Sequence, residues 1–418
     1  MHAPASYSML GGYTVRSWAV LLAFGALAGA AGLAAMYMES NGHWVTGMTQ
    51  RVPWGLPHVF AFFLIVAASG ALNVASIGSV FQKEDYQPLG RLSVLLAFAL
   101  LAGGLFILVT DLGRADRLLL TIQYTNATSI FAWNVFIYQI FFALTVIYLW
   151  VMMTPGLSRF YRPAATAAFI WRLGMTTGTG SVLGFLVARA AFRSAIMPVE
   201  FVALSLSIGT ALFALTMLAF ERFEGRPLTS PALLNRFRRL IGILVAVSLY
   251  MVAVQHLTAL YLAERRDVEH FILFSGSIYS VLLWAGFVLM GSVVPMLLLF
   301  IPIGNGRAWP LAVAAALVGL GGLALMYTTV IGGEAFPLEL FPGRLVSSSA
   351  FDGVVAPYSP SFVEAVLGVG GFGIAGVVVC MGAWVLPVLP GHVGAGADQV
   401  DPERQPHPPL NNPKPIIG

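Results

Sequence analysis

Ten apolar stretches, each close to or above the length of a membrane span and separated by short charged joints, constrain this chain more than any motif in it. A helix needs about 20 apolar residues to cross roughly 30 Å of hydrocarbon. The predicted spans are Val15–Met38, Leu56–Phe81, Leu92–Val109, Ser129–Met153, Ala165–Ala190, Ile196–Phe220, Leu240–Ala263, Phe271–Pro302, Trp309–Val330 and Phe362–Val388. Charged residues make up only 10% of the chain, where a soluble domain has about 25%, so a solvated surface of the usual kind is excluded. Helices satisfy their own backbone groups in lipid, whereas a barrel shows alternating segments of about ten residues. The fold class is therefore an all-α polytopic membrane protein with ten transmembrane helices.

The joints on the N-terminal side are richer in Arg and Lys than the opposite ones, with Arg236, Arg238 and Arg239 as the densest group. The positive-inside rule then puts both termini in the cytoplasm of a bacterial inner membrane. Residues 1–14 read as a cytoplasmic N-terminus, 15–388 as the membrane domain with a core near 55–330, and 389–418 as a flexible tail rich in Pro, Gly and Asn. The net charge of +4 fits contact with membrane lipid headgroups, and the basic group lacks the interleaved aromatics of a nucleic-acid surface, so no nucleic-acid partner is expected. Cys380 is the single cysteine, which excludes an intrachain disulfide and a cysteine-ligated iron–sulfur cluster in this chain.

Three joints assigned to the outer face are more than tethers. The first, ESNGHWVTGMTQRVPWGLP, brackets Trp54 and Gly55 with Pro53 and Pro57, suited to a fixed turn into a helix. The second, DLGRADRLLLTIQYTNATS, holds Leu118, Leu119, Leu120 and Ile122, an apolar group suited to the membrane interface. The third, from about Ile331 to Ser361, is long and rich in aromatics and proline, fit to cap a site or dock a partner. Near these joints lie His58, Asp111, Arg114, Asn134, Glu200, His256 and Glu364, all in the outer third of the membrane at about 1.5 Å per residue. Ionisable groups at that depth usually face a protein interior or cavity. They match the needs of a quinol site: an apolar cleft, a donor for one ring oxygen and a proton acceptor, for which histidine suits near neutral pH.

Each of these residues also has a structural reading. Asp111 and Arg114 have the i,i+3 spacing of an ion pair, Glu200 and Glu364 can reach the interface, and Asn134 can bind a neighbouring helix. A second polar set, Asn73, Arg91 and Arg172, lies toward the cytoplasmic half and offers either an inner polar route or helix glue. The paired histidines of a multi-haem cytochrome are not apparent, although one haem between His58 and His256 stays geometrically open; otherwise no haem and no metal site are expected. No P-loop occurs, and the glycines of the last two spans suit close helix packing.

The segments PWGLPHVFAFF, DLGRADRLLL, NATSIFAWN and YSPSFVEAVLGVGG, in this order, resemble the NrfD/PsrC family of quinol-interacting membrane subunits. The ten spans and the FPGRLVSSSAFDG stretch are most similar to its larger branch, DsrP-like or HybB-like. Where many relatives have proline after DLGR, this chain has Ala115. The resemblance implies two four-helix bundles formed by helices two to nine, with flanking helices. It further implies an extracytoplasmic quinone pocket, menaquinone or ubiquinone as exchangeable cofactor, and no redox metal in this chain. A ferredoxin-like iron–sulfur protein on the extracytoplasmic face and further cytochrome or catalytic subunits are the implied partners. By motif, Trp54, Gly55 and His58 border the pocket, and Asp111, Arg114 and Asn134 shape its polar end. Tyr358 and Glu364 contact quinone or organise the partner interface; Glu200 and His256 rest on depth alone. A secondary ion or solute transporter and a non-catalytic membrane anchor of a redox complex are the competing classes, and no internal repeat of the kind transporters show is found.

Overall fold

In the computed structural model, which describes residues 6–11, 14–301, 307–338 and 353–391, ten long helices follow one another. They are α1 (Val15–Asn41), α2 (Leu56–Ser79), α3 (Gly90–Thr110), α4 (Ile130–Met153), α5 (Tyr161–Gly184), α6 (Met197–Glu224), α7 (Pro231–Tyr261), α8 (Ile278–Phe300), α9 (Trp309–Ala335) and α10 (Phe362–Val385). Among the described residues, nine helices reach the length and apolarity of a membrane span, α3 as part of a longer segment from Glu84. The tenth, α5, has the length but is diluted by Arg172, Thr176 and Thr179, all buried against its neighbours. The chain is a polytopic helical membrane protein.

Packing sorts the helices into two groups of four. In the first, α2 packs on α3 and α5, and α4 on α3 and α5; in the second, α6 packs on α7 and α9, and α8 on α7 and α9. The groups meet where α2 and α5 lie on α6, while α10 covers α2 and α3 from outside and α1 packs on α10. Helix α2 is the hub: 94% of its most apolar stretch is buried, against 11% for α1, which faces lipid. A helix that is apolar all round belongs in such a position.

Close approach at the hub depends on paired glycines. A Cβ on Gly209 of α6 would run into backbone atoms of Ala67, Gly70 and Ala71 in α2, and one on Gly70 would strike the Ser205 carbonyl. Gly291 of α8 and Gly321 of α9 face each other in the same way. Small residues at such crossings let helices associate where lipid supplies no hydrophobic drive.

Local signals fix the ends. Thr14 and Ser361 form capping boxes at α1 and α10, Ser129 and Ser230 cap α4 and α7, and Pro57, Pro198, Pro231 and Pro310 stand in first turns. The segment predicted as Phe271–Pro302 is broken. A short helix, Arg266–Phe274, ends at a Ser275–Ser277 turn in which Gly276 has φ +68°, and α8 starts afresh at Ile278. The fifth span ends at Gly184 rather than Ala190, and a loop leads on to α6. Leu118–Gln123 forms a short helix with Leu120 and Ile122 exposed. Tyr7–Ser8 (β1) pairs antiparallel with Leu389–Pro390 (β2), joining the two ends of the chain. The tail beyond Gly391, Pro302 and all of FPGRLVSSSAFDG but Gly353 lie outside the described residues.

Because the three atoms nearest a Cβ on Gly209 are all backbone, a methyl there cannot be relieved by a rotamer change. Gly209→Ala should cost about 1–3 kcal/mol and lower the unfolding temperature in detergent, while Gly25→Ala, with nothing within 4 Å of its Cβ, should not. Equal unfolding temperatures would refute the packing argument.

Candidate functional site

The first joint, the α3–α4 connection and the start of α10 converge at one end of the bundle, here the first-loop end. Asp111 caps the C-terminus of α3, its N–H donating to the Ile107 carbonyl at 2.9 Å. That is the wrong end of the helix dipole for a carboxylate, and its side chain is fully buried. Two histidines compensate. His58, in the first turn of α2, places Nδ1 2.7 Å from Asp111 Oδ2, and His43, from a short turn in the first joint, places Nε2 3.6 Å from Oδ1. Both approaches are ion-pair contacts without good hydrogen-bond alignment, a looseness common in sites without substrate.

Trp54 lies beside His58, ring centroids 6.0 Å apart and 19° from parallel, and meets Phe62, Phe131 and Phe192 at 6.1–6.3 Å. Phe131 is 47% exposed, so this aromatic wall opens sideways toward lipid rather than enclosing a cavity. Gly113, with φ +72°, turns the chain at the end of α3; a Cβ there would crowd His43 at 3.3 Å.

The turn carrying Trp54 is held by carboxylates from the far end of the chain. Glu334, in the last turn of α9, accepts from the Trp54 N–H at 3.0 Å. Arg189 ties the Glu334 carbonyl (2.8 Å) to the Arg51 carbonyl (2.5 Å). Glu364, fully buried, accepts from Gly47 N–H, Ser361 N–H and the Tyr358 hydroxyl at 2.7–2.8 Å, and that hydroxyl accepts from Leu56 N–H at 2.6 Å. A Cβ on Gly55 would strike Glu364 Oε1 and Tyr358. Tyr358 and Glu364 thus brace the turn from behind.

Of the residues singled out by sequence, the structure brings His58, Asp111, Trp54 and Gly55 together. Arg114 stands apart: it forms a two-pronged, exposed pair with Asp116 at 3.0 and 2.9 Å, because the Gly113 turn removes the helical i,i+3 geometry that would join it to Asp111. Asn134 donates to the Ile130 and Gly178 carbonyls, bridging α4 to α5, and its Oδ1 is buried without a partner among the described residues. His256 and Glu200 belong to the second helix group, His256 paired with Glu269 at 2.7 Å, so His58 and His256 sit in separate clusters. Arg172 donates to the Ser69 carbonyl and to Asn73, which donates to Thr210. Arg91 is elsewhere, stapling the Met152 and Pro387 carbonyls with Tyr7 stacked beneath it. Sequence reasoning missed His43, Glu334, Arg189 and Glu269; only the GHW of the first joint, next to a glycine and a tryptophan, carried any signal for His43.

Burial pushes the Asp111 carboxyl up, but His43 and His58 outweigh it and hold it below the usual carboxylate range. The Asp111 carboxylate in turn raises His43 above the ordinary histidine value, against the opposing effect of partial burial.

A multi-helix scaffold of apolar helices with an ionisable cluster at its first-loop end defines a multi-pass membrane protein. The family model described as polysulphide reductase, NrfD, matches residues 44–338, and the chain belongs to that family. It is similar to an Hdr-like menaquinol oxidoreductase integral membrane subunit of Archaeoglobus fulgidus, 25% identical over 83% of this chain and 87% of that protein. It is also similar to a selenate reductase subunit of Mesobacillus selenatarsenatis (25% identical; 86% and 91% covered) and to a putative dimethyl sulfoxide reductase membrane subunit of Halobacterium salinarum (25%; 92% and 93%).

The pairing has a definite pH signature. The His43 contribution is complete below about pH 6.5 and fades as pH rises through its raised value; that of Asp111 is complete above about pH 4 and fades as pH falls through its lowered value. The unfolding temperature of Asp111→Asn should therefore fall furthest below that of the unmodified protein between about pH 4 and 6.5, with the gap narrowing at higher pH. A gap constant from acid to alkaline pH would sink the assignment.

Proposed function

We propose that this chain is the quinone-interacting membrane subunit of a multisubunit oxidoreductase, exchanging electrons between the membrane quinone pool and an iron–sulfur partner. The observation that carries it is the His58–Asp111 pair beneath Trp54 at a lipid-facing edge. The residues suit a flat, long-tailed aromatic ligand with two ring oxygens: an aromatic wall open to lipid, a histidine, and a buried acid behind it. Relatives named as a menaquinol oxidoreductase subunit and as subunits of selenate and dimethyl sulfoxide reductases support the same class.

A bound quinol supplies two electrons and two protons to such a site. The chain's residues handle the protons. With Nδ1 turned toward Asp111, His58 offers Nε2 to a ring hydroxyl, and the carboxylate orients the imidazole, as acids behind catalytic histidines do. His43, partly in solvent, is the next acceptor on the same carboxylate and gives the proton a way out at the first-loop end. In the reverse direction the same groups deliver protons to a quinone. Trp54, fixed through Glu334, sets one wall, and the Gly55 turn lets the Glu364 brace approach.

On this reading the first-loop end is extracytoplasmic, both termini are cytoplasmic, and a ferredoxin-like iron–sulfur protein docks over the joints, with cytochrome or catalytic subunits beyond it. Menaquinone is favoured over ubiquinone by the named function of the archaeal relative, and a DsrP-like or HybB-like complex is the assembly of choice by motif. The site needs no haem or metal of its own.

The test is quinol-dependent reduction of the partner's clusters in the intact purified complex, with and without His58→Ala. The variant should assemble normally and lose about 10²-fold or more in rate. An intact complex whose clusters ignore quinol and quinone alike would make the chain an anchor.

A further inference from the structure

The second helix group contains a polar cavity that the quinone reading does not use. It is small, with room for water-sized groups, and is lined by Glu200 of α6, Gln255 and His256 of α7, Glu269 of the short helix, and Thr328 and Thr329 of α9. Glu200 is only 4% exposed, and its Oε2 has no hydrogen-bond partner among the described residues. An ionised, unpartnered carboxylate at that depth is too costly to persist; it must be protonated or solvated by water in the cavity. Across the cavity, Glu269 is already engaged, 2.7 Å from His256 Nδ1 and 3.7 Å from Arg265. Arg265 is itself anchored on the Ala191 and Arg193 carbonyls.

We propose that this cavity is a proton-holding site, separate from the His58–Asp111 cluster, in which Glu200 carries a proton exchangeable through water with the His256–Glu269 pair. The groups facing Glu200 are His256 from α7 and Glu269 from the short helix, with Arg265 behind Glu269; α9 contributes only hydroxyls. That composition suits a hydrated proton better than a metal cation. The Arg265 guanidinium repels a cation, and the second carboxylate is already engaged by Arg265 and His256.

The site also points inward. Seven residues along α6 from Glu200 stands Ser207, and seven residues back along α7 from Gln255 stands Ser248, about 10 Å deeper in a helix. Their hydroxyls meet at 2.9 Å and line a second cavity with Ser292, which is buried without a partner among the described residues. Polar groups thus recur two turns deeper on the same two helices.

Infrared difference spectra of the full-length protein in lipid nanodiscs between acid and alkaline pH test this without any quinone. A protonated carboxyl band should be present near neutral pH, lost in Glu200→Gln and retained in His58→Ala. A measurement on the unmodified chain removes any dependence on variant folding: a hydrophobic carbodiimide, which reacts with protonated buried carboxyls, should label Glu200 but not Glu364, whose oxygens are all engaged. An unlabelled Glu200, a band indifferent to Glu200→Gln, or a band abolished by sodium at constant pH would overturn the proposal. None of these outcomes touches the quinone reading, which stands or falls on His58.

Discussion

A carboxylate inside a lipid-bounded bundle must find its donors within the protein, and that demand organises the first-loop end of this molecule. Asp111 draws His58 and His43 to the end of α3; Glu364 draws in Gly47, Ser361 and Tyr358; Glu334 takes the Trp54 N–H; Glu269 holds His256 and Arg265. Several of these links join segments some 300 residues apart, such as Gly47 with Glu364 and Trp54 with Glu334. Removing one partner would leave a buried charge without compensation, which costs far more than an exposed ion pair gains. The described parts of these joints are therefore tied to the helices by buried hydrogen bonds, and His58 sits at a defined place on a loop-built rim.

The helices were legible because lipid permits few alternatives. A run of about 20 apolar residues in a chain this poor in charge has one outcome, and the runs located all ten long helices. The break at Ser275–Ser277 was not legible from hydropathy, since Phe271–Phe274 and Ile278 onward are apolar on both sides. Gly276 between two serines was the signal, and its φ of +68° is what bends the chain. Within the rim, PWGLPH and DLGR each placed their own residues, but no spacing rule could show that His58 and Asp111 meet. Their contact depends on α2 packing on α3, a tertiary fact. The i,i+3 reading of Asp111 with Arg114 failed because it extended helical geometry past a glycine in the left-handed region. Glu334 was invisible for a related reason, and His43 showed only in the GHW of the first joint: each acquires its role from a partner remote in sequence.

The two helix groups treat buried charge in opposite ways. In the first, the Arg172 guanidinium, always protonated, sits 2% exposed between α2 and α5, near the hydroxyls of Ser69 and Thr176. It donates to a carbonyl and an amide and meets no carboxylate among its hydrogen-bond partners. A fixed positive charge there raises the energy of any excess proton moving along those hydroxyls, much as a cationic residue guards a water pore. Under the proposed function, that charge would send protons from His58 back toward the first-loop end through Asp111 and His43 rather than down the first group. In the second, the polar residues lining the two cavities are two acids, several hydroxyls, one amide and one imidazole, with Arg265 set behind Glu269 at the rim. One scaffold thus carries two different polar environments: a first group whose acid and histidines lie at its edge, and a second whose Glu200 oxygen, unpartnered among the described residues, lies inside the bundle.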